Sequence, residues 1–318
     1  MRFTIRIAGA AFAAVLVAAC SSGASPSSSA VESAAPSVAP SASVEASPSP
    51  TANACARDSL TLVSAGKLTV GTDNPAYAPY FLPKDGGNTP PWDTEFSGDP
   101  TTGTGFESAI AYAVADKLGF TKTEVSWTPV KFDNSYAPGP KPFDFYLAQV
   151  SFKPERAESA DLSDGYYFLN QSLVAVGGTS IASAKTIADL ASYQFGAQAG
   201  TTSYDTIVNV IKPTKEPRVY DSNDAAITAL NNKQIDGLVV DLPTAFYVTA
   251  AQMDNGVIVG QFPPTGGEQE HFSLVLAKGS ALTACVNGAL AAMKADGSLD
   301  AITKEWMSDK ANAPVIQP

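Results

Sequence analysis

One histidine and three cysteines among 318 residues leave little material for metal or redox chemistry. The cysteines are far apart and His271 stands alone, so no zinc-ligand cluster can be assembled. No Gly-x-Ser-x-Gly elbow is present, which removes one class of hydrolase. The apolar run at residues 7–19 is about 13 residues long, too short for a hydrocarbon core that needs roughly 20. Positive charge is also scarce. Twenty Lys and Arg face 31 Asp and Glu, for a net charge of -11 spread thinly along the chain, which argues against a nucleic-acid partner.

What is present at the start is an address. Arg2 and Arg6 precede the apolar run, which ends in Val17-Ala18-Ala19-Cys20, so residues 1–19 are expected to be a signal peptide. The ending resembles a bacterial lipobox. That likeness implies a lipidated Cys20 at the mature N-terminus, anchored stably by two acyl chains on the outer face of a cell membrane; an ordinary signal peptide with an incidental cysteine is the alternative. Residues 20–52 are almost all Ser, Ala, Pro, Val and Glu with no aromatic, too little apolar surface to offset chain entropy. They read as a disordered tether that reaches about 30 Å on average.

About 265 residues remain, enough for two domains of ordinary size. With Cys20 set aside, Cys55 and Cys285 form one pair in an oxidising compartment, and a bridge between them is expected. Two separate buried thiols are the alternative, because Cys285 shares an apolar helix face with Leu282, Val286, Ala289 and Leu290.

The remainder alternates strand and helix patterns. Strands are expected at 67–72, 124–130, 143–147, 194–197, 236–240, 257–260 and 272–277. Helices are expected at 105–119, 202–211, 224–231, from Pro243, and over 282–307. The run Gly-Leu-Val-Val after Asp236 is continuously apolar, as in a strand covered on both faces. The pattern predicts an α/β protein with mostly parallel sheets, whose ligand crevice lies at the carboxyl ends of the strands.

Residues just past strands are therefore the candidates. Asp73, Asn74 and Tyr77 follow the first strand, mixing polar anchors with an aromatic wall; Phe132 follows the second. Gln149 and Ser151 precede Arg156, whose planar guanidinium can fold back to grip a carboxylate beside the serine hydroxyl. A surface pairing of Arg156 with Glu155 or Glu158 is the plainer reading. Thr201 and Thr202 open a helix whose free N–H groups suit an anion, although threonine is also an ordinary N-cap. Asp241 ends the buried strand and suits an ammonium group, or it caps the helix that begins at Pro243. Together these describe the complement of an α-amino acid.

The order and spacing of Val70-Gly71-Thr72-Asp73, Tyr77-Ala78-Pro79-Tyr80, Gly105-Phe106-Glu107, the 151–156 segment, Gly200-Thr201-Thr202, Ile235-Asp236-Gly237 and Asp296-Gly297 resemble the polar-amino-acid family of ABC solute-binding proteins, family 3 type. The resemblance spans residues 60–306. It implies a two-lobed periplasmic-binding-protein-like fold (type II). It also implies an α-carboxylate held by Arg156, Ser151 and Thr202, an ammonium held by Asp241, and Tyr77 and Phe132 flanking the ligand.

On the same grounds lobe 1 is expected at 53–172 and 272–318 and lobe 2 at 173–271, with hinges near 171–174 and 271–274. The implied function is delivery of an amino acid to a permease by a monomer without cofactor. A membrane-receptor sensor and a lyase or dehydratase are the other readings, and Glu268 and Glu270 are the acids nearest the cleft edge for the last. Three features depart from the family pattern. Ala109 replaces a common acidic residue, Gln149 replaces a common serine, and an insertion at 84–104 carrying Trp92 could line the cleft mouth.

Overall fold

The computed structural model describes residues 54–94, 96–263, 269–307 and 313–318. The signal peptide, Cys20, the tether, Asn53 and Glu268 lie outside them. Two five-stranded sheets form the frame. The first has the order β2 (Val125–Pro129), β1 (Leu68–Thr72), β3 (Phe145–Tyr146), β12 (Val275–Ala277), β4 (Ala160–Leu162). The second has the order β10 (Gly256–Gln261), β6 (Gln171–Val176), β9 (Gly237–Asp241), β7 (Phe195–Gln198), β8 (Arg218–Tyr220). Each carries two parallel and two antiparallel pairings, so the sheets are mixed where mostly parallel ones were expected. The reason is connectivity. The chain passes from one sheet to the other without a crossover helix, through a ribbon of β5 (Tyr167–Phe168) against β11 (His271–Phe272). A strand that enters a sheet without such a crossover is free to run antiparallel.

That ribbon corrects the first expected hinge, while the second, near 271–274, contains β11. Residues 171–174 belong to β6, hydrogen-bonded on both sides inside the second sheet, and the first crossing lies earlier, at β5. The expected strand at 272–277 splits into β11 and β12, which belong to different sheets.

The first sheet is covered by α1 (Phe106–Lys117), α7 (Leu282–Ala295) and α8 (Ser298–Met307). Phe106, Ile110 and Val114 of α1 meet Leu282, Val286 and Leu290 of α7 in one core, and each such burial is worth about 1.5–3 kcal/mol. Gly105 opens α1 at φ 95°, where a Cβ would stand 2.6 Å from the Tyr80 carbonyl oxygen, so only glycine fits. Gly297, at φ 78°, breaks the expected 282–307 helix into α7 and α8. Cys55 and Cys285 are bridged, joining the N-terminal end of the described chain to α7 across 230 residues.

In the second lobe α4 (Thr202–Thr206) continues as the π-helical segment Ile207–Ile211, α6 (Leu242–Tyr247) continues as Val248–Gln252, and α5 is Asn223–Asn231. The final residues correct the expected partition. Ile316 N–H donates to the Gln261 carbonyl, Gln317 N–H donates to the Lys185 carbonyl, and Ile316 is buried among Leu173, Phe195 and Val239. An apolar residue at the end of the tail finds its pocket in the second core, so residues 313–318 pack on the second sheet and not on the first.

The 84–104 insertion is also corrected. None of its described residues lines the cleft. Trp92 is 2% exposed within the first core, and Asp99 is buried and accepts from the N–H groups of Thr89 and Thr101. Gly98 N–H donates to the Ala76 carbonyl, and the Ser97 hydroxyl accepts from Ala76 N–H. The insertion is a buttress behind the loop that carries Asp73 and Tyr77.

Candidate functional site

The ends of β1, β2, β3, β7 and β9 converge on one cavity of about 40 Å³ between the lobes, lined by Asp73, Tyr77, Phe132, Gln149, Ser151, Arg156, Thr201, Thr202 and Asp241 among others. Nine of the ten expected side chains are thus brought together. The tenth, Asn74, turns away: its amide donates to the Pro91 carbonyl and its oxygen accepts from the Thr94 hydroxyl.

Arg156 lies on α3 (Pro154–Ser159), opened by Pro154, and is 4% exposed, which rules out the surface pairing. Its guanidinium donates to the Ser151 carbonyl at 2.5 Å and to the Gly200 carbonyl of the opposite lobe at 2.8 Å. It lies over the rings of Phe132 and Tyr136, 5.2 and 4.7 Å from their centroids. Burial lowers its pKa, but an arginine remains charged at neutral pH. Tyr136, which the sequence reading did not single out, stands one helical turn after Phe132, and the two rings pack edge to face at 5.6 Å. That spacing was a visible signal.

The unforeseen centre of the site is Gln171, the first residue of β6. Its Nε2 donates to Asp241 Oδ1 at 2.5 Å, to both Glu270 oxygens at 3.1 Å, and to Thr202 Oγ1 at 3.2 Å, while its Oε1 accepts from Ser203. The Ser151 hydroxyl donates to Glu270 Oε1 at 2.6 Å and lies 3.4 Å from Thr202 Oγ1. Thr201 is the N-cap of α4, its hydroxyl accepting from Tyr204 N–H, so its capping role is real and Thr202 is the threonine that faces Ser151.

Burial pushes the Asp241 carboxyl well above the usual carboxylate range, and the nearby Glu270 charge pushes it further. Burial also raises Asp73 to about 6, opposed by hydrogen bonds from the N–H groups of Asn74 and Phe132. Tyr77 is raised chiefly by burial and hydrogen-bonds Asp224. Gln149, at φ 54°, is tied back to the buried Glu107 through both its N–H and its side-chain amide, and burial raises that Glu107 to about 7. Thr72 is among the lining residues, and its Oγ1 is one of four buried side-chain polar atoms without a partner among the described residues.

Several bonds cross the cleft: Tyr80 to Thr244 at 3.0 Å, Arg156 to Gly200, and the Lys153–Asp205 ion pair at 2.5 Å. His271 is buried outside this cavity, stacked on Phe152 and beside Phe168. No helix among the described residues is long and apolar enough to cross a membrane.

Three relatives place this geometry. The L-cystine-binding protein TcyJ of Escherichia coli (strain K12) is 30% identical over 223 residues, 69% of this chain and 79% of its own length. A solved ancestral arginine-binding protein bound to arginine is 28% identical with a TM-score of 0.61, covering 76% of this chain and 98% of that one. A solved ancestral amino acid-binding protein, AncCDT-1, described as a precursor of cyclohexadienyl dehydratase, is 26% identical with a TM-score of 0.60, covering 76% and 95%. Residues 86–309 match the model of the bacterial extracellular solute-binding proteins, family 3, and this chain belongs to that family.

Proposed function

We propose that the cleft captures a free amino acid or a close analogue for an ABC importer. The observation that carries this reading is the convergence, in one buried cleft, of a guanidinium and two hydroxyls (Arg156, Ser151, Thr202) opposite a carboxylate (Asp241), with aromatic rings between. Arg156 and the hydroxyls hold the α-carboxylate by charge-assisted bonds. Asp241 takes the ammonium, whose positive charge offsets the cost of burying that carboxylate. Phe132 and Tyr77 flank the ligand, and the Thr72 hydroxyl is free to meet one of its polar atoms.

Asp73, at the aromatic end, suits a second cationic or hydrogen-bonding group. This is consistent with relatives named for cystine, arginine, histidine and glutamine. The lobes close on the ligand about the β5–β11 ribbon, and permease subunits read the closed shape. Cys20 carries the lipid, and residues 20–52 tether the domain to the outer face of the membrane. The protein binds without turning over its ligand: the acids that line the cavity, Asp73 and Asp241, are hydrogen-bonded to the Asn74 N–H and the Gln171 amide, and His271 is not among its lining residues.

The test is a thermal-shift screen of residues 53–318 after unfolding and refolding, against the twenty amino acids and L-cystine. A ligand that binds only the folded state stabilises by RT ln(1 + [L]/Kd), about 2.7 kcal/mol at a hundredfold excess over Kd. A rise confined to one or a few amino acids supports the reading. No rise with any of them rejects it.

A further inference from the structure

Ser151 is assigned above to the ligand's carboxylate, yet its single hydroxyl hydrogen is already given to Glu270 Oε1 at 2.6 Å. A hydroxyl has one hydrogen to donate, so a ligand carboxylate that takes it must first displace Glu270. The same side chain draws on Gln171. The two hydrogens of that amide face four acceptor oxygens, from Asp241, Thr202 and both arms of Glu270.

We propose that Glu270 is a built-in competitor for the ligand's carboxylate and thereby a residue that sets which ligands the cleft accepts. The inference rests on the amino-acid reading of the site.

The charged groups around Glu270 support it. From β9 comes Asp241, which shares the Gln171 amide. From α3 comes Arg156, near enough to feel the Glu270 charge. Lys153 and Asp205 are committed to each other. On its own strand side, His271 lies with its ring against Phe152 and its Nδ1 3.3 Å from the Gln269 carbonyl. Glu270 and Asp241 thus share the charge of Arg156, which forms no ion pair among the described residues.

A zwitterion must insert its carboxylate where a carboxylate already sits. Its ammonium, with three hydrogens, relieves the excess of acceptors around Gln171. The cleft therefore discriminates by how well a ligand's cation repays the displacement of Glu270. An uncharged glutamine at 270 keeps the shape, removes the negative charge, and offers a donor to the incoming carboxylate.

The experiment is calorimetric titration of L-arginine, L-histidine, L-glutamine and L-cystine into the wild-type domain, Glu270→Gln, Glu270→Ala and Arg156→Ala, at pH 8. Circular dichroism confirms that each variant is folded. For any probe that binds, Glu270→Gln and Glu270→Ala are expected to be tighter than wild type at pH 8 by about tenfold. Equal affinity at pH 8, or weaker binding by both variants, overturns the proposal; weaker binding would make Glu270 a partner of the ligand's cation. Retained affinity in Arg156→Ala, or no binding of any probe, instead overturns the amino-acid reading on which it stands.

Discussion

Two backbone carbonyls and two aromatic faces hold the Arg156 guanidinium in place, so its fork is oriented before a carboxylate arrives. Arg156→Lys keeps the charge but loses the planar fork. It is expected to weaken binding by on the order of tenfold or more, measured by calorimetry, whereas Arg156→Ala removes most of the affinity. Asp73 makes a pH prediction. Its carboxyl loses its proton near pH 4 in the unfolded chain and at about 6 in the folded one. Between those values the native state holds more protons, so stability falls as pH rises through the window and the loss persists above it. By this linkage Asp73 costs on the order of 2–3 kcal/mol at neutral pH. Asp73→Asn should therefore raise the melting temperature of the ligand-free protein at pH 7 and leave it little changed at pH 4. Equal shifts at both would contradict this. Most of the site was legible at this scale, because Asp73, Ser151, Thr202 and Asp241 each follow a strand. Gln171 was not, and Glu270 was read only as an acid near the cleft edge: they meet because the ribbon folds two distant segments together, and no local pattern marks that meeting.

The 84–104 insertion is where a plausible inference from sequence failed for a clear reason. An unassigned loop with a tryptophan invites a ligand role, but Trp92 is buried in the first core and Asn74 is spent on tying the loop down. Trp92→Ala should cost about 3–5 kcal/mol of stability, read by chemical denaturation. Asn74→Ala should leave ligand affinity within about threefold of wild type. A large affinity loss in Asn74→Ala with unchanged stability would return that residue to the cleft. The strand and helix pattern itself was readable almost throughout, since buried strands such as β9 and the amphipathic α7 obey simple periodicities. The mixed direction of the sheets was not, because direction depends on which strands cross between lobes without a helix.

For the whole molecule, the Cys55–Cys285 bridge was the open question that the fold closes. In the chain-entropy model a loop of this length gives at most about 5 kcal/mol, and less is usually realised. Reduction, or Cys55→Ser with Cys285→Ser, should lower the melting temperature by several degrees while leaving the cleft's ligand preference unchanged, since the bridge lies behind the first core. No change on reduction would mean the bridge adds nothing to stability. The cleft joins the two lobes through few polar contacts, among them Tyr80 to Thr244 and Arg156 to Gly200, so a ligand that touches both sides can bias their closure. In the proposed binding mode Arg156 and Asp241 grip the two ends of one amino acid. The most direct test is a crystal structure of residues 53–318 with the amino acid that gives the largest thermal shift. Its carboxylate is expected within hydrogen-bond distance of Arg156 and its ammonium against Asp241. A ligand bound outside this cleft, or bound in it without touching Arg156, would contradict it.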